Sequence, residues 1–123
     1  RIAMNQAESE YQTSILEHGE VHPESILKSV RIGDLHWEYS NLSLCLDYYE
    51  RALFNLWDYH NINHHNNDNA VNHPSIAMIL HKLGNVHARS GAFTEASKWY
   101  DKSLEMKQAL MTPSSSSTFE PYP

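Results

Sequence analysis

Nine of the 123 residues are histidine, and His60, His64, His65 and His73 gather around one polar stretch. Imidazoles four residues apart on a helix share a face, so His60 and His64 could chelate a metal if a helix runs through both. Only Asp68 stands nearby to complete a coordination sphere, and solvated histidines in a polar insertion are the simpler reading. His36 and His87 invite a general-base role, yet each falls on a stripe that packs helix on helix, with no orienting partner in the pattern. Cys45 has no adjacent cation to lower its thiol and reads as an inert core residue. No catalytic, metal or cofactor site is expected, and the chain reads as a non-enzyme.

Side chains that bind rather than react are better placed. On the helix expected after Pro23, Val30, Arg31, Asp34, Trp37 and Glu38 share a surface beside the packing stripe. On the helix expected after Pro74, the equivalent positions hold His81, Lys82, Asn85, Ala88 and Arg89. Lys82 and Arg89 can hold a carboxylate or an acidic peptide, and Arg31 extends that line. Asp34 and Glu38 cut across it and attract a basic group. The candidate peptide-binding set is Arg31, Asp34, Trp37, His81, Lys82, Asn85 and Arg89, with ordinary solvated helix charges as the competing reading.

These two surfaces correspond because the chain repeats itself. His22–Leu53 aligns without a gap onto His73–Leu104, matching His22/His73, Pro23/Pro74, Gly33/Gly84, His36/His87, Tyr49/Tyr100 and Leu53/Leu104. The second half of the unit also stands at the start, where Ala7, Tyr11, Ser14 and Ile15 precede the equivalent Cys45, Tyr49, Ala52 and Leu53. A fixed internal period means a stacked array.

The stripe spacings predict five helices, at about 2–18, 23–39, 42–60, 74–90 and 93–111, and no strand. Pro23 and Pro74 suit a first helical position, while Ser40-Asn41 and Gly91-Ala92 are turns short enough to make successive helices antiparallel. Gly33 and Gly84 on the inward face allow close helix approach. The expected core is Tyr11, Ile15, Ile32, Gly33, Cys45, Tyr49, Leu53, Leu80, Leu83, Gly84, Ala96, Tyr100 and Leu104. The organisation read from this is a repeat region 1–111, made of a half repeat 1–20, a repeat 22–60, an insertion 61–72 and a repeat 73–111. A tail at 112–123, with three prolines and four consecutive serines, is expected to be disordered.

Totals set outer bounds. Nine Lys and Arg against fifteen Asp and Glu give a net charge of -6, against a nucleic-acid partner. No apolar run reaches membrane-spanning length, and the single cysteine fits a reducing, cytoplasmic setting.

The run Leu83-Gly84-Asn85-Val86-His87, then Gly91-Ala92-Phe93, Glu95-Ala96, Tyr100 and Ser103-Leu104, resembles a tetratricopeptide repeat. The His-Pro pairs, with Ile76-Ala77 after the second, are similar to the longer repeats of kinesin light chains. Ser40 departs from the expected glycine, Cys45 from alanine, and Trp57 and Gln108 from a helix-closing proline; His36 and His87 stand where the family commonly has tyrosine. The resemblance implies an all-α fold of antiparallel helix pairs stacked as a right-handed solenoid, whose first helices line a concave peptide-binding groove. It also implies that Asn85 hydrogen-bonds a ligand backbone. The expected function is a protein–protein interaction scaffold. The alternatives are a structural spacer segment of a larger protein, or the docking arm of an enzyme whose catalytic domain lies outside this chain.

Overall fold

A computed structural model describes residues 2–63 and 73–111. These form α1 (Ile2–His18), α2 (Pro23–Glu38), α3 (Leu42–Asn63), α4 (Pro74–Arg89) and α5 (Phe93–Met111), with no strand among the described residues. Helix α3 runs to Asn63, past the expected start of the insertion. The rest of that insertion through Asn72, with His64 and His65, and the tail 112–123 lie outside the described residues.

The repeated His-Pro is a helix start in which both residues have a task. His22 and His73 sit in extended backbone, with φ of -149° and -140°, and proline opens each helix. The imidazole Nδ1 of His22 accepts from the amide of Glu24 at 3.1 Å, and that of His73 accepts from the amide of Ser75 at 3.1 Å. A ring nitrogen thus fills the place usually taken by a serine or aspartate oxygen, satisfying one of the free amides of the first turn.

The two hairpin turns share one geometry. The Asn41 amide donates to the His36 carbonyl at 2.9 Å and Ser40 to Trp37 at 3.1 Å; Ala92 donates to His87 at 2.8 Å and Gly91 to Ala88 at 3.1 Å. This pair of bonds requires a left-handed residue at the turn. Gly91 fits there with φ +90°, whereas Ser40 takes the same position at φ +63° despite its side chain.

Within each hairpin a tyrosine lies on a glycine. A Cβ built on Gly33 would come within 2.6 Å of the Tyr49 ring, and one on Gly84 within 2.6 Å of the Tyr100 ring. The ring occupies the side-chain space that glycine leaves empty, which explains why the two residue types recur together. Neighbouring elements pack in chain order, most extensively within the hairpins α2–α3 and α4–α5.

One apolar cluster joins α2 through α5, with Cys45, Ala52, Ile76 and Leu83 at its centre. A smaller one holds Met4, Ala7 and Tyr11 of α1 against Ile32 of α2. Serines reinforce the interfaces: Ser14 and Ser25 hydroxyls lie 2.7 Å apart, and Ser103 donates to the Ala77 carbonyl at 2.8 Å.

Most of the expected core is buried, but Ile15 and Tyr100 are half-buried and Leu104 is exposed. Leu53 is only 7% exposed because α4 covers it, whereas its equivalent Leu104 is 54% exposed on α5, where no described helix follows.

Candidate functional site

Lys82 and Arg89 of α4 bridge to α2 and its turn through bonds that join residues 48 to 52 apart, close to the displacement from His22 to His73. This brings the candidate residues onto one face. Asp34, Trp37, Lys82 and Asn85, with Glu38 and Tyr49, line a cavity of about 300 Å³. Arg31, Asp34 and Lys82 line an adjoining one of about 430 Å³ together with Glu10, Lys28 and Met78. His81, Lys82 and Asn85 border a third, of about 550 Å³, with Pro74, Met78 and Lys107. Lys82 borders all three cavities.

The repeated tyrosine sets the two polar residues at its floor. Tyr49 donates its hydroxyl to the Asp34 carboxylate in a short hydrogen bond, and Tyr100 donates to the equivalent Asn85 carbonyl at 2.5 Å. Burial first, and the hydrogen bond to Asp34 second, push the Tyr49 phenol well above its ordinary value. With its oxygen engaged, Asn85 keeps its amide N–H groups as donors at the groove surface. His81 packs against the Tyr100 ring at 5.2 Å.

The basic residues are less free than their charges suggest. Lys82 donates to Asp34 at 3.0 Å, forming an ion pair between α4 and α2. Arg89 donates to the Trp37 carbonyl at 2.8 Å and to the Ser40 hydroxyl at 2.8 Å, with its guanidinium 4.5 Å above the Trp37 ring. It closes the carbonyl end of α2 and joins the two hairpins. Arg31 is exposed and, among the described residues, has no ion-pair partner.

Comparison with protein-family models, with curated proteins and with solved structures returned no match.

His36, His60, His87 and Cys45 are placed as packing residues. His36 is buried and stacks on Tyr48 at 5.7 Å, and His87 lies parallel to Trp99 at 6.2 Å. His60 is buried with its ring 4.2 Å from that of His73. Among the described residues no group of three or more possible metal ligands converges. Cys45 is fully buried, and burial pushes its thiol up to about 11, so it holds its proton at neutral pH.

A fourth cavity, about 580 Å³, opens between α3 and α5 with Leu80 of α4 beside it, lined by Leu53, Phe54, Trp57, Trp99 and Met106 with Asp58, Lys102 and Glu105 at hand. Sequence reasoning missed it. Phe54 and Trp57 stand off the packing stripe, and two large aromatics there are the signal that would have drawn attention to it.

Proposed function

We propose that this chain is a tetratricopeptide-like scaffold, built as a right-handed array of helix pairs, that captures a peptide segment of a partner protein along α2 and α4. The observation that carries this reading is the group of neighbouring cavities around Lys82, two of which Asn85 lines with amide donors held in place by Tyr100. A bound backbone supplies carbonyls to such donors. Arg31 then attracts an acidic side chain, while Glu38 at the other end favours a basic one, giving the peptide a direction. Kinesin-light-chain-like repeats and a cytoplasmic setting belong to the same proposal, supported by the His-Pro starts and the lone cysteine. No helix among the described residues is long and apolar enough to cross a membrane.

The ion pair of Lys82 with Asp34 and the contacts of Arg89 support a second reading, a spacer array whose first helices are joined for rigidity. Selection of peptides from a displayed random library, followed by titration, separates the two. On the scaffold reading, selected peptides bind and Asn85→Ala weakens them by about 1–2 kcal/mol, the cost of a lost interfacial hydrogen bond. A library that yields no peptide sensitive to Asn85→Ala or Arg31→Glu supports the spacer.

A further inference from the structure

The cavity between α3 and α5 shares no lining residue with the three around Lys82. Its volume of about 580 Å³ falls among those of small-molecule sites, about 300–1,000 Å³. The core residues Leu53, Leu80 and Met106 give it an apolar floor, and three aromatic side chains, Phe54, Trp57 and Trp99, line it as well.

The internal repeat shows what an aromatic at this place takes. One unit earlier, Trp99 and Lys102 correspond to Tyr48 and Arg51, and there the Arg51 guanidinium lies 4.6 Å from the centre of the Tyr48 ring. At that junction the chain supplies its own cation to the ring. Among the described residues Lys102 makes no such contact with Trp99. The opposite wall differs too. Phe54, Trp57 and Asp58 of α3 correspond to Leu16, Gly19 and Glu20, and the last two lie beyond the end of α1 at His18. The longer α3 thus sets a second indole and a carboxylate beside the cavity, at a level where α1 has already ended.

The charges around the cavity favour the same kind of ligand. Asp58 and Glu105 border it with a single ammonium, Lys102, and none of the three is in an ion pair among the described residues. Aromatic faces attract cations, and nearby carboxylates add to that attraction. An anion would meet two carboxylates against one ammonium. We propose that this cavity binds a small alkylammonium cation, seated against Trp57 and Trp99 with Asp58 and Glu105 supplying the opposite charge. The trimethyl face of such a cation is apolar enough to rest on the floor of the cavity while its charge meets the rings. Lys102 opposes binding, and its removal strengthens it.

The test is a titration of the 123-residue chain with choline, and with its uncharged isostere 3,3-dimethylbutanol, followed through the indole N–H signals of the three tryptophans. Choline should shift Trp57 and Trp99 and leave Trp37 in place, and the alcohol should bind at least about threefold more weakly. Trp57→Ala should weaken choline by a similar factor. Asp58→Asn should weaken it and Lys102→Gln tighten it, with both effects shrinking as salt is raised. All three substituted residues are exposed, and circular dichroism checks that each variant keeps its fold. Equal binding of the alcohol and the cation, weakening by Lys102→Gln, or no shift of Trp57 and Trp99 by choline overturns the proposal.

Discussion

Adding a single methyl group at Gly33 should unfold this protein more readily, although alanine is the better helix former. The Gly33→Ala exchange gains about 1 kcal/mol of intrinsic helix preference. Against that, the new Cβ would lie 2.6 Å from the Tyr49 ring, roughly an ångström inside ordinary contact. Tyr49 is 3% exposed and cannot swing into solvent, so relief must come from moving packed neighbours, at about 1–3 kcal/mol. Shifting the ring also draws its hydroxyl from Asp34, a charge-assisted bond worth about 1.5–3 kcal/mol before discounting for the Lys82 contact that Asp34 keeps. The net expectation is a loss of about 2 kcal/mol. Gly84→Ala meets the same 2.6 Å approach, but Tyr100 is only half-buried and can tilt outward, so that loss should stay below about 1 kcal/mol. Urea unfolding followed by circular dichroism measures both, with an unchanged slope required for comparison. The decisive arm repeats Gly33→Ala in a Tyr49→Ala background, where only helix preference remains and the exchange should stabilise by about 0.5–1 kcal/mol. If Gly33→Ala destabilises equally in both backgrounds, the tyrosine-on-glycine contact is not its cause.

Ser40→Gly should raise stability by about 0.5–1 kcal/mol in the same unfolding assay, because it relieves a left-handed residue while losing only an exposed bond from Arg89. His73→Ala should cost about 0.5–2 kcal/mol by uncapping α4, and His73→Asn should restore most of it. Stability should fall in alkali: the Cys45 thiol is raised from 9.0 to about 11 in the folded chain, so its contribution is complete below pH 9 and lost as pH rises towards 11. Unfolding titrations between those limits should show about 2–3 kcal/mol of that loss abolished in Cys45→Ala, leaving the part due to Tyr49.

Helix positions were legible because an internal repeat states the same stripe more than once. The departures have physical reasons. Helix α3 continues to Asn63 because Trp57 stands where a proline would have ended it. Leu104 repeats Leu53 in sequence but not in burial, since periodicity identifies a face and not the neighbour that covers it. That Asp34, Trp37, Lys82 and Asn85 would lie near one another was legible, because they occupy corresponding stretches of two repeats, and the structure lines one cavity with all four. The use of Lys82 and Arg89 was not legible, because their partners Asp34, Trp37 and Ser40 lie a full repeat away along the chain. The His-Pro pairs marked helix starts, but serine and aspartate are the usual caps, so the ring nitrogen as acceptor was not foreseen.

Hydrogen exchange of backbone and side-chain amides, with and without a selected peptide, tests the central claim most directly. The peptide should slow exchange along α2 and α4 and perturb the Asn85 side-chain amide and the Trp37 indole, leaving Trp57 and Trp99 unchanged. Perturbation confined to Phe54, Trp57 and Trp99 would place binding in the cavity between α3 and α5 and contradict the assignment of the groove.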